Sequence, residues 1–73
     1  MHEANLMLGN IKVLLLSDNH LTNVAGIDHL YALERLDLRN NLIANVSDVS
    51  TLGRLPNLMK LDLKGNPVMS KGK

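Results

Sequence analysis

Aliphatic residues fall at every second position in three short stretches of the chain, as Leu14/Leu16, Leu36/Leu38 and Leu61/Leu63. Each pair is preceded, three residues earlier, by Ile11, Leu33 or Leu58. Each is followed, three residues later, by Asn19, Asn41 or Asn66, and then by Leu21, Ile43 or Val68. A two-residue spacing puts both leucines on one face of an extended chain, so strands are predicted at 13–17, 35–39 and 60–64. From Ile11 to Leu33 the period is 22 residues, and eight positions correspond across it: Ile11/Leu33, Leu14/Leu36, Leu16/Leu38, Asn19/Asn41, Leu21/Ile43, Val24/Val46, Ile27/Val49 and Leu30/Leu52. Chance does not align so many positions in so short a chain. The array is a repeat, and a unit this short returns through 3₁₀ turns or extended chain rather than full helices.

From Leu33 to Leu58 the period lengthens to 25 residues. The extra residues lie within 47–55, where Val49, Leu52 and Leu55 share a helical face. Ser47 is the expected N-cap, Asp48 favours the first turn, and Gly53 and Pro56 limit the length, so one two-turn helix is expected. The chain divides into a partial upstream unit or cap (1–10), repeats at 11–32, 33–57 and 58–69, and a polar tail (70–73) expected to be disordered. A short amphipathic cap over residues 2–8 is the alternative for the start. Pro67 removes an N–H where another turn would begin, so the series is expected to end there. The chain reads as a fragment of a longer array.

Stacking like positions builds an α/β solenoid, right-handed as parallel crossovers are. Three short parallel strands form its concave face, and 3₁₀ turns with one short helix form its convex face. Asn19, Asn41 and Asn66 stand where the backbone leaves the strand. A buried carboxamide both donates and accepts there for peptide groups that have left the ladder. The other strand residues make three rows on the concave face: Val13, Arg35 and Lys60; Leu15, Asp37 and Asp62; Ser17, Arg39 and Lys64. One reading is cross-strand ion pairing that keeps the sheet soluble. The other is a partner-binding strip, with Val13 and Leu15 as apolar contacts and Arg35, Arg39, Lys60 and Lys64 selecting an acidic partner.

Composition narrows the chemistry. Apolar residues make up 45% of the chain, yet Tyr31 is its single aromatic residue, which suits aliphatic layers. The formal charge of +1 and the lack of stacking aromatics argue against direct nucleic-acid binding. There is no cysteine, so disulfides and thiolate metal sites are excluded. The first residues lack a basic, apolar signal sequence, and no apolar run approaches the roughly 18 residues of a membrane span. His2, His20 and His29 are scattered, without metal-ligand spacing. Asp37 and Asp62 should lie about 5 Å apart on neighbouring strands, but four nearby cations would keep both ionised and no cleft is expected. Ser17 has no evident base, and no glycine loop for phosphate is present. The methionines (Met1, Met7, Met59, Met69) read as adaptable packing near the ends. No enzyme and no cofactor is expected.

The pattern LxxLxLxxNxI resembles the leucine-rich repeat, and the resemblance covers about residues 8–69. The stretch Leu55-Pro56-Asn57-Leu58 with Gly65-Asn66-Pro67-Val68 is similar to the last repeat of the short-repeat cytosolic class. That class includes regulators of a nuclear phosphatase, a spliceosomal protein and an axonemal dynein light chain. Within it, Leu8-Gly9-Asn10-Ile11-Lys12, His29-Leu30-Tyr31-Ala32-Leu33, Leu36-Asp37-Leu38-Arg39 and Leu52-Gly53-Arg54-Leu55-Pro56 resemble the nischarin family of imidazoline-receptor candidates. The resemblance implies a cytoplasmic, endosome-associated scaffold whose repeats follow a lipid-binding PX domain. Rac- or Rab-type GTPases, protein kinases and an integrin tail are the implied partners. Extracellular members of the wider family commonly carry cysteine caps, and their absence agrees with a cytosolic or nuclear setting. The expected function is a non-catalytic protein-interaction scaffold acting in signalling, with self-association through open repeat ends. The alternatives are a structural segment packed on flanking repeats, or an adaptor in a ribonucleoprotein or phosphatase-regulating complex.

Overall fold

The computed structural model describes residues 10–70. The upstream unit or cap expected over 1–10, with His2, Met1 and Met7, lies outside the described residues except for Asn10, as do residues 71–73 of the tail. Three strands, β1 (Val13–Leu15), β2 (Arg35–Asp37) and β3 (Lys60–Asp62), form a parallel sheet in the order β1-β2-β3. Register aligns Val13 with Arg35 and Lys60, Leu14 with Leu36 and Leu61, and Leu15 with Asp37 and Asp62. The return limbs hold 3₁₀ turns at Ile27–His29 and Pro67–Ser70, and between them one helix, α1 (Val46–Leu52). These are the open parallel sheet and short turns of a leucine-rich repeat solenoid.

The strands are two residues shorter than the alternation predicts, because the chain bends sharply after the second inward leucine. Asp18, Asn40 and Gly65 hold the same place in the three repeats, and their φ values of 61°, 59° and 80° are left-handed. The ladder nevertheless continues past the strand ends. Leu16 N–H donates to Asp37 O and Asp18 N–H to Arg39 O, at 2.8 and 2.9 Å. One repeat later, Leu38 N–H donates to Asp62 O and Asn40 N–H to Lys64 O, at 2.9 and 2.8 Å.

The core lies between the sheet and the return limbs. Leu33, Leu36, Leu38, Ile43 and Leu52 are within 1% of complete burial. Their equivalents Ile11, Leu14, Leu16, Leu21 and Leu30 are only half-buried against it. The central layer is thus enclosed on both sides, as stacked repeats require.

Three expectations for the return limbs change. The N-cap of α1 is Asn45, with extended backbone, and Ser47 lies inside the helix, where its carbonyl accepts from the Thr51 hydroxyl at 2.9 Å. Starting the helix one residue before Ser47 alters which side chains face inward. Val24 is buried at 2% exposure whereas its sequence counterpart Val46 is 63% exposed. A 3.6-residue period has replaced the repeat period there, keeping Val49 and Leu52 inward and rotating Val46 out. Pro67 opens a 3₁₀ turn rather than forestalling one, because the first residue of a turn needs no N–H of its own.

Candidate functional site

The asparagines at the strand exits hold neighbouring repeats together. Asn41, 3% exposed, donates through Nδ2 to Leu16 O at 2.9 Å, Leu38 O at 3.0 Å and Arg39 O at 3.3 Å, and its Oδ1 accepts from Leu21 N–H at 3.0 Å. Asn66 repeats this one unit later. Its Nδ2 donates to Leu38 O at 2.7 Å and Leu63 O at 3.0 Å, and its Oδ1 accepts from Ile43 N–H at 3.1 Å. Asn19 departs from the expectation of a buried amide. It is exposed, and among the described residues it donates within its own repeat, to Leu16 O at 2.9 Å and Ser17 O at 3.2 Å.

Sequence reading missed the column Asp18, Asn40 and Gly65. Asn40 Nδ2 donates to the Asp18 carboxylate at 2.9 Å, and a Cβ built on Gly65 would run into Asn40 Oδ1. The signal was available, since Asp, Asn and Gly are the residues that tolerate left-handed backbone, and here they precede the repeated Asn.

Six residues of the expected strip stand in register across the sheet, Val13 with Arg35 and Lys60, and Leu15 with Asp37 and Asp62. Val13, Leu15, Arg35, Arg39, Lys60 and Lys64 are exposed, Ser17 and Asp62 are half-buried, and Asp37 is buried. Ser17, Arg39 and Lys64 lie just beyond the strand ends; the carbonyls of Arg39 and Lys64 stay in the continuing ladder, and that of Ser17 accepts from Asn19 Nδ2. Arg35, Leu36, Asp37, Arg39, Lys60 and Asp62 line a shallow open depression of about 210 Å³, although the sequence predicted no cleft.

The charges divide unequally. Arg39 grips Asp37 through Nε at 3.0 Å and Nη2 at 2.9 Å, and its Nε also lies 3.8 Å from Asp62 Oδ2. Asp37 Oδ1 accepts from Arg39 N–H at 3.1 Å, and Asp62 Oδ1 accepts from Lys64 N–H at the same distance. The two aspartates thus cap the backbone where each strand ends. The hydrogen bonds from the Arg39 side chain and backbone hold the Asp37 carboxyl below the usual carboxylate range, with Arg35 adding a smaller field. That carboxylate in turn raises Arg39. Cross-strand pairing is therefore confined to Arg39. No carboxylate among the described residues pairs with Arg35, Lys60 or Lys64.

The remaining candidates gain nothing from the geometry. His20 and His29 are exposed, and His29 meets Asp28 at 3.7 Å and the edge of Tyr31. Tyr31 exposes 56% of its surface, while its carbonyl accepts from Asn57 Nδ2 at 3.1 Å. Among the described residues no group of His, Cys, Asp and Glu is placed to hold a metal ion, and no helix is long and apolar enough to cross a membrane. Met59 and Met69 are exposed.

Residues 9–51 match the family described as Leucine Rich repeats (2 copies). The chain is 44% identical over 62 residues to Leucine-rich repeat-containing protein 36 of Homo sapiens, across 85% of the chain and 8% of that protein. It is 43% identical over 61 residues to Leucine-rich repeat-containing protein 23 of Xenopus tropicalis, across 82% of the chain and 17% of that protein. It is also 41% identical over 56 residues to the human Serine/threonine-protein kinase 11-interacting protein, across 77% of the chain and 5% of that protein. The chain thus spans less than a fifth of the length of each of these relatives. Repeats of this kind are generally non-catalytic and mediate contacts between proteins. The matched residues, the asparagine bridges and the parallel stack agree, and the chain belongs to the leucine-rich repeat family.

Proposed function

We propose that this chain is a non-catalytic interaction module that takes a protein partner on its concave strand face, through Val13, Leu15, Ser17, Arg35, Asp37, Arg39, Lys60, Asp62 and Lys64. The observation that carries the reading is the pairing of apolar and cationic exposure on one strand surface. Val13 and Leu15 leave 53% and 58% of their surface open beside three cations that have no carboxylate partner among the described residues. Packing alone asks for neither feature, whereas a partner would cover the first and match the second. The resemblance to nischarin-like scaffolds supplies candidate partners, namely Rac- and Rab-type GTPases, protein kinases and an integrin tail. One relative is named for its interaction with a serine/threonine kinase, which adds support to that class. A cytoplasmic setting, with endosome association of a longer protein, belongs to the same proposal.

The absence of cysteine offers a test that does not depend on the partner's chemistry. A single cysteine replaces Leu15 on the concave face, or Arg54 beyond the end of α1, and is coupled to polyethylene glycol. Pull-downs then use nucleotide-loaded Rac- and Rab-type GTPases and a serine/threonine kinase. Binding blocked by the polymer at 15 and kept with the polymer at 54 supports the reading. Binding blocked only at 54, or equally at both, places the partner elsewhere and overturns it.

A further inference from the structure

We propose that the concave face selects an acidic, extended peptide segment bearing one aliphatic side chain, read first by the row Val13–Arg35–Lys60, with Arg39 less available because it is paired with Asp37. This rests on the concave face being the binding surface and adds the chemistry of what it binds.

The four cations of the strip are not equivalent. Arg39 spends its guanidinium on Asp37 and leans toward Asp62, so an incoming carboxylate would have to displace a bidentate pair whose acceptor is largely buried. Arg35 and Lys60 carry no such pair among the described residues. They are direct register partners on adjacent strands, which places them about 5 Å apart and on the same face of the sheet. Both border the shallow depression whose far wall is the clamped Asp37–Arg39 pair. Val13 is the register partner of Arg35 on the other side and is more than half exposed. One row thus presents an aliphatic contact followed by two cations, over two strand spacings or about 10 Å.

Side chains two residues apart share a face of an extended chain, so five residues present three of them over about 13 Å, within reach of the row for long Glu side chains. A ligand lying across the strands with an aliphatic side chain on Val13 and carboxylates on Arg35 and Lys60 would satisfy every group in the row. The next row sharpens the choice. Asp37 and Asp62 stand in it side by side, both engaged by the N–H two residues on, and they repel a ligand that carries acid at every position. Uniform polyanions therefore fit less well than a short acidic pair with a neutral apolar neighbour.

The test uses the chain labelled with ¹⁵N and three capped peptides: one of sequence Leu-Ser-Glu-Ser-Glu, the same peptide with Gln for both Glu, and a tetra-glutamate. Amide shifts are followed on titration of the wild type and of Arg35→Glu, Lys60→Glu and Arg54→Glu. These substitutions change net charge equally, and all three residues are exposed. The expected result is saturable shifts at residues 13, 35 and 60 with Leu-Ser-Glu-Ser-Glu. Binding should weaken about tenfold or more in Arg35→Glu and Lys60→Glu, and also with the Gln peptide, but not in Arg54→Glu. If either reversal disturbs the circular dichroism spectrum, Arg35→Gln and Lys60→Gln take its place. Equal binding of the Gln peptide at the same amides would overturn the acidic specificity while leaving the concave face as the binding surface. Equal binding of tetra-glutamate, or equal loss in Arg54→Glu, would reduce the effect to net charge and overturn the row. Shifts confined to another surface, or none at millimolar peptide, would also overturn it. The polymer-blocking result then decides whether the concave-face reading falls with it.

Discussion

Replacing Asn41 by Ala should destabilise the fold by removing one specific backbone partner rather than several. The sequence suggests that several peptide groups would be orphaned, but the structure supplies three of the four with a second partner. Leu16 O also accepts from Asn19 Nδ2, Leu38 O from Asn66 Nδ2, and Arg39 O from Asp18 N–H. Leu21 N–H is left with no alternative acceptor, and it is half-buried. One unpaired, partly buried donor costs about 1–2 kcal/mol, the lower part of the range for a lost buried partner. Asn66→Ala should cost more, about 2–3 kcal/mol, because Ile43 N–H lies in a fully buried residue. Asn19→Ala should stay within about 0.5 kcal/mol, since water replaces an exposed amide. With no tryptophan and one tyrosine, unfolding is best followed in urea by far-ultraviolet circular dichroism. Amide exchange then localises each effect, with protection lost first at Leu21 in Asn41→Ala and first at Ile43 in Asn66→Ala. The double variant Asn19→Ala/Asn41→Ala leaves Leu16 O without either donor, so its cost should exceed the sum of the two singles. Equal costs for all three asparagines, or unchanged Leu21 exchange in Asn41→Ala, would refute this account.

Leu38→Ala, at a fully buried position, should cost about 2–5 kcal/mol in the same urea experiment, and half-buried Leu16→Ala clearly less. Gly65→Ala should cost about 1–2 kcal/mol from left-handed backbone alone, and more from contact with Asn40 Oδ1. Combining it with Asn40→Gly should remove the second part only, as a double-mutant cycle on urea midpoints would show. Asp37 has a lowered native pKa, so its stabilisation is full above the ordinary aspartate range near pH 4 and is lost as pH falls through the lowered value. Asp37→Asn should therefore flatten the acid limb of the stability–pH profile and leave its shape near neutrality unchanged.

Much of this was legible in the chain because the repeat is written in side chains that do one thing. The leucine pairs fixed the three rows and their register, and Asp37 opposite Asp62 follows from the alternation alone. Legibility failed where two periods compete. Val46 aligns with Val24 by repeat position, but the helix that begins there follows its own turn and rotates Val46 outward. It failed again where a role depends on a neighbour in space. Nothing local distinguishes Arg39 from Arg35, yet only Arg39 has the backbone bend that brings its guanidinium onto Asp37. Likewise Asn19, Asn41 and Asn66 occupy identical places in the pattern, and their surroundings alone make two of them buried and one exposed.

The asparagine bridges also give the stack a direction. Asn41 closes the turn of the repeat before it by taking Leu21 N–H, and Asn66 does the same for Ile43. The backbone agrees, with Leu42 N–H donating to Leu21 O and Val68 N–H to Ile43 O. Each unit therefore carries the lock for its predecessor and depends on its successor for its own. Grafting a repeat onto the N-terminal side brings a turn that the existing chain can close, whereas grafting one onto the C-terminal side must bring the closure with it. Chimeras built from this scaffold should be cut just before a strand, so that every lock travels with the unit that holds it.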